Sequence, residues 1–169
     1  KRALNSVDSP ETAYSDVQAS EYDNKRFVDP SGLQVHSMEL NMLQTFLSGI
    51  PQGSSILEVG CGTGRLLLEL VKSGYRVDGV DASVEMLGKL KQKLTKDNLS
   101  KIQVAESANL PIEDGKYDFV YAIRLLNQTE SADYALDSIR EMVRITKPNG
   151  FVLAEFVNIN RPQLGRNSG

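Results

Sequence analysis

An α/β fold with a doubly wound, mostly parallel sheet in three αβα layers is what this chain of 169 residues predicts. Three observations carry the prediction. Short apolar runs alternate with helical patterns from about residue 54 to residue 157. A turn of alternating glycines, Gly60, Gly62 and Gly64, joins the first of those runs to a leucine-rich helix. The second run, Arg76-Val77-Asp78-Gly79-Val80-Asp81, ends in an acidic residue 21 positions after Gly60. Strands joined through helices require right-handed crossovers, and hence parallel pairing.

The elements follow in order. Residues 1–12 are polar and are expected to form a flexible N-terminus. Residues 13–157 are expected to form the domain itself. Over residues 13–28, Tyr14, Tyr22 and Phe27 are mixed with charge, a pattern for a short helix capping a site. Met38, Met42, Leu43, Phe46 and Leu47 then recur at helical spacing before Gly49 and Pro51 end that helix. Strands are expected at 54–59, 76–80, 101–105, 117–122 and 151–157, with helices at 64–73, 83–95 and 131–146. Leu87, Leu90 and Leu94 form one apolar stripe, and Ala135, Ile139, Met142 and Val143 another. Residues 158–169 read as an irregular tail, such as a truncation would leave.

Composition narrows the function classes. A hydrophobic share of 40% and a charged share of 24% are ordinary for a globular domain. A net charge of −3 gives no broad attraction to nucleic acid, so none is expected as a partner. One cysteine cannot form an internal disulfide, and one histidine with one cysteine cannot supply an ordinary zinc site, so no metal is expected. No apolar run reaches the length of a membrane span and no signal-peptide pattern is visible, which together lead us to expect a cytoplasmic location.

The glycine turn carries the chemistry. Backbone without Cβ atoms can approach a ligand closely, and the next helix offers unpaired N–H groups in its first turn. Asp81 stands near the distance at which a carboxylate accepts from ribose hydroxyls, although aspartate is also a common helix N-cap. A dinucleotide site would place its third glycine at position 65, where Arg65 stands. Glu58, just ahead of the turn, would repel a pyrophosphate; it suits a cationic cofactor or orients the loop. Cys61 reads as an inert residue chosen for its small size.

Glu58-Val59-Gly60-Cys61-Gly62-Thr63-Gly64, followed by Val77-Asp78-Gly79-Val80-Asp81-Ala82-Ser83, closely resembles the class I S-adenosylmethionine-dependent methyltransferases, most of all the branch that methylates small molecules such as quinone precursors. Glu106-Ser107-Ala108-Asn109-Leu110-Pro111 is similar to the family's adenine-flanking segment. Lys116 to Ala122 resembles its fourth strand, and Arg144-Ile145-Thr146-Lys147-Pro148-Asn149-Gly150 its turn into the fifth. The match runs over about residues 50–157 and implies a Rossmann-like fold that continues after the fifth strand with a helix and two further strands, for which this chain is too short.

The resemblance implies S-adenosylmethionine as cofactor and S-adenosylhomocysteine as product. It places cofactor contacts at Glu58, Gly60, Cys61, Gly62, Gly64, Asp81, Ala82, Met86, Glu106, Ser107, Ala108 and Ile123, with Tyr22 covering from the N-terminal side. Met86 is equally readable as core. Arg124 either binds an acidic substrate or points into solvent, and His36 is expected to be structural rather than a base. No catalytic residue is named, because a sulfonium donor needs a base only where the acceptor must first lose a proton. The activity implied is methyl transfer by in-line displacement to an unidentified small-molecule acceptor. The rivals are a non-catalytic S-adenosylmethionine-binding module of a larger chain and, behind it, a nicotinamide oxidoreductase.

Overall fold

The computed structural model describes residues 27–95, 100–129 and 131–156. Tyr14, Tyr22, the expected flexible N-terminus and the C-terminal tail of the sequence reading lie outside the described residues. Helix α1 (Pro30–Leu47) begins earlier than the apolar spacing suggests, because Asp29 caps it by accepting from the Gly32 N–H at 2.6 Å and Pro30 fits its first turn. Leu43 and Leu47 enter the core, whereas Met38 and Phe46 of the expected face are exposed. Glu39 is buried in their place.

The chain then alternates β1 (Ile56–Val59), α2 (Arg65–Lys72), β2 (Val77–Asp81), α3 (Val84–Lys93), β3 (Ile102–Val104), β4 (Tyr117–Ala122), a 3₁₀ turn (Leu126–Gln128), α4 (Ala132–Ile145) and β5 (Thr146–Ala154). The five strands form one sheet in the order β3-β2-β1-β4-β5, and every pairing is parallel. β1 is buried along its whole length, as a central parallel strand with both faces covered must be.

Two core clusters fill the layers. Leu43 and Leu47 of α1, Leu66, Leu67 and Leu70 of α2, and Leu87 and Leu90 of α3 pack with Ile56, Phe119 and Tyr121. Met142 and Ile145 of α4 pack with Leu57, Val59, Val80 and Val120. Alternate residues of β1 therefore serve opposite faces of the sheet. On α4 the inward stripe is Ser138, Met142 and Ile145, whereas Val143, expected there, is 58% exposed.

β5 also begins earlier than expected, directly after α4. Its first pair, Thr146 with Tyr117, is followed by Phe151 with Phe119, so the segment 147–150 bulges opposite the single residue Asp118. Asn149 is left-handed there, at φ 66°. A Cβ on Gly150 would lie 2.8 Å from the Asp118 carbonyl oxygen, which explains glycine at that position. The Asp118 carboxylate accepts from Lys147 Nζ at 2.9 Å, and its Oδ2 accepts from the Ser55 N–H at 2.8 Å.

Candidate functional site

The strand order reverses between β1 and β4, so their carboxyl ends open the crevice at which such sheets bind ligands. The glycine turn leaves β1 at this point. Gly60, Gly62 and Gly64 have φ of 74°, 52° and 82°, so the left-handed region is required at each alternate residue. The Gly60 and Cys61 N–H groups both donate to the Val80 carbonyl, at 2.8 and 3.0 Å, which fastens the turn to β2.

The three glycines do different work. A Cβ on Gly64 would fall 2.2 Å from Leu90 Cδ1, so Gly64 allows the start of α2 to approach α3 closely. A Cβ on Gly60 would lie 2.9 Å from Leu125 Cδ1, in the loop after β4. At Gly62 it would meet only Asp81 Oδ2, at 4.0 Å, so this glycine is the one that faces open space. Cys61 is buried, and its Sγ would be 2.8 Å from a Cβ on Gly79. Burial pushes its thiol well above the usual range, so it holds little thiolate.

Two carboxylates flank the turn. Glu58, 4% exposed, accepts from the Tyr121 hydroxyl at 3.0 Å. Burial pushes its pKa up to about 8, against the opposing pull of that hydrogen bond and of the Arg65 charge. Asp81 ends β2 with both oxygens engaged by backbone: Oδ2 accepts from the Gly62 N–H at 2.7 Å and Oδ1 from the Ser83 N–H at 2.9 Å. It is not the helix cap. Ser83 is, its hydroxyl accepting from the Met86 N–H at 3.2 Å. Burial raises the Asp81 pKa as well, and Glu106 adds to the shift.

The remaining candidates divide. Ala82 is half-buried beside Asp81. Met86 is 2% exposed yet belongs to neither core cluster. Glu106 accepts at Oε2 from the Tyr134 hydroxyl of α4, at 2.6 Å. The Ser107 hydroxyl is occupied by Ser138, 2.8 Å away, and by Tyr134; the half-buried Ala108 follows. Ile123 is buried and belongs to the α1–α2–α3 core cluster.

Arg124 is paired with a carboxylate of α1. It stands in the left-handed region at φ 62°, and its Nε donates to Glu39 Oε1 at 2.6 Å. Glu39 Oε2 accepts from Arg65, which also donates to His36 Nδ1 at 2.7 Å. Burial and the Arg65 charge lower the His36 pKa. Sequence reasoning missed Glu39, Tyr134 and Tyr121, because a polar side chain that contacts a partner 28 to 85 residues away leaves no local pattern. Among the described residues no cluster of His, Cys, Asp and Glu could hold a metal ion.

Residues 57–154 match the family model for the methyltransferase domain. The chain belongs to that family. S-adenosylmethionine is the cofactor of these methyltransferases, and the site fits a cation of that kind: two carboxylates that burial has driven toward their neutral forms flank a turn whose middle glycine faces open space. This methyltransferase domain is 34% identical over 108 residues to the tRNA (carboxymethyluridine(34)-5-O)-methyltransferase of Arabidopsis thaliana, covering 64% of the chain and 25% of that protein. It is 36% identical over 112 residues to the demethylmenaquinone methyltransferase of Staphylococcus epidermidis, covering 62% and 43%. Among solved structures it resembles the magnesium protoporphyrin IX methyltransferase of Synechocystis with bound S-adenosylhomocysteine, with a TM-score of 0.57, 26% identity and coverage of 66% and 52%. The chain therefore spans a quarter to about half the length of these relatives.

Proposed function

We propose that this domain binds S-adenosylmethionine in the glycine turn and transfers its methyl group to a small-molecule acceptor. The observation that carries the reading is the pair of carboxylates, Glu58 and Asp81, that flanks a glycine turn at the sheet's reversal point. Glu58 and Asp81 would oppose a pyrophosphate and favour a cation, which argues against a nicotinamide dinucleotide. The cofactor supplies a methyl group on a sulfonium, already activated and leaving as a neutral thioether. The chain's part is to bind, orient and exclude water, contributions worth up to about 7–11 kcal/mol when two reactants are held in attack geometry. Gly62 would admit the ligand backbone-close, and Glu58 would balance its positive charge. Asp81 would receive the ribose hydroxyls while keeping the turn in register through Gly62 and Ser83. Glu106 Oε1, which has no hydrogen-bond partner among the described residues, would accept from the adenine amine.

A small acceptor is favoured by the net charge of −3, since a tRNA substrate calls for a basic surface. The Arabidopsis relative, which acts on tRNA, keeps the other class in the test. Calorimetric titration with S-adenosylhomocysteine should give saturable binding, and NAD should give none. Release of S-adenosylhomocysteine should follow incubation of the protein and cofactor with a metabolite extract and not with bulk tRNA. Binding without release on either would favour the non-catalytic module, and a preference for NAD would overturn the assignment.

A further inference from the structure

A second group of charges lies beside the glycine turn, centred on Glu39 of α1. This residue is 7% exposed and gives one carboxylate oxygen to each of two arginines. Arg65 is the first residue of α2, directly after Gly64. Arg124 is the second residue after β4, directly before Leu125, whose side chain covers Gly60. Both guanidiniums also rest on the Phe27 ring, at 4.0 and 5.5 Å from its centroid. The Arg124 backbone N–H donates to Glu155 Oε2, at 2.8 Å, just beyond β5. One carboxylate on α1 thus grips the residues that flank the turn on both sides.

Removing one partner from a buried ion pair leaves uncompensated charge, and here it would leave two guanidiniums without their shared carboxylate. A non-glycine residue persists in the left-handed region only where its surroundings hold it there, and Glu39, Glu155 and Gln128, whose Nε2 donates to the Arg124 carbonyl at 2.7 Å, hold Arg124. We infer that Glu39 is a positioning residue of the cofactor site: it sets the glycine turn and the loop after β4 against each other, so that docking of α1 completes the site. The inference rests on the reading of the turn as the cofactor site.

Calorimetric titration with S-adenosylhomocysteine, at a temperature well below the melt of every variant, tests it. Glu39→Gln and Arg124→Met should each weaken binding about three- to thirtyfold. The double variant should be no weaker than the weaker single, because both act through one contact. Glu39→Asp, which keeps the charge on a shorter arm, should recover part of the loss. Should Glu39→Gln fail to fold, joint replacement of Glu39, Arg65 and Arg124 by methionine removes the buried charges together, which often preserves a fold, and carries the same expected loss. Variants that melt early but bind as the wild type does, or losses that simply add, would overturn the inference while leaving the cofactor reading intact. A wild-type protein that binds no S-adenosylhomocysteine would overturn both.

Discussion

Asp81 is held by two backbone N–H groups before any ligand arrives, so its carboxylate serves the turn and the ligand at once. Asp81→Ala should therefore do two things. Each lost hydrogen bond to a charged acceptor is worth about 1.5–3 kcal/mol, so S-adenosylhomocysteine affinity should fall about ten- to a hundredfold and the melt should move down with it. Asp81→Asn retains one acceptor but sets an amide N–H₂ against either Gly62 or Ser83, and it should lie between wild type and alanine in both measurements. Titration and thermal melting of the same two variants check this; affinity unchanged in Asp81→Ala would remove the residue from the site. The sequence pointed to Asp81 by its spacing from Gly60, but it left the cap reading open. What closes that question is Ser83 two residues on, whose capping hydroxyl becomes visible only in the folded turn.

At the scale of elements, the glycine turn is also a packing joint. Gly64 lies at φ 82° with Leu90 of α3 where a side chain would go, so Gly64→Ala meets both a left-handed backbone penalty of about 1–2 kcal/mol and an overpacking cost of about 1–3 kcal/mol. Denaturant unfolding should show a loss in that combined range, about 2–5 kcal/mol. Gly62→Ala meets only the first penalty and should lose correspondingly less stability. Strands β1 to β4 and helices α2 to α4 were legible in the sequence, from their apolar runs and helical stripes. The early start of β5 was not legible, because Thr146-Lys147-Pro148-Asn149 has the composition of a turn and pairs only through a bulge opposite Asp118. Nor was the outward placing of Val143 and Met38, since periodicity gives a stripe but leaves its width and centre to the neighbouring layer.

For the whole molecule, the two oppositely shifted carboxylates predict an unusual dependence of stability on pH. The Glu58 pKa rises from an ordinary 4.5 to about 8 in the fold, so the folded state binds the extra proton between those values. The stability it contributes is present below about pH 4.5 and is lost as pH rises through about 8. Asp118 shifts the other way, to about 2, held down chiefly by Lys147 and also by Ser55, and its contribution disappears as pH falls through that value. Its ion pair is partly exposed and screened by solvent, so the Glu58 limb should dominate. Thermal melts of the ligand-free protein should therefore decline from mildly acidic to mildly alkaline pH, and Glu58→Gln should flatten that decline. A cation bound beside Glu58 favours its ionised form, so saturating S-adenosylmethionine should flatten it as well. An equal slope in wild type and Glu58→Gln would show that the burial of this carboxylate is not what sets the trend.

The sulfur atom pressed against Gly79 makes the chain its own stopwatch. Cys61 is the single thiol in the sequence and lies within the glycine turn, sealed by the turn's closure over β2. A thiol reagent reaches it only in the moments when the turn lifts away, so the labelling rate at low reagent reports the fraction of time the turn stands open, and at saturating reagent the rate of opening itself. No dye, tag or engineered residue is needed to time the breathing of the loop. A ligand seated in the turn would slow the clock in proportion to how firmly it holds the loop down.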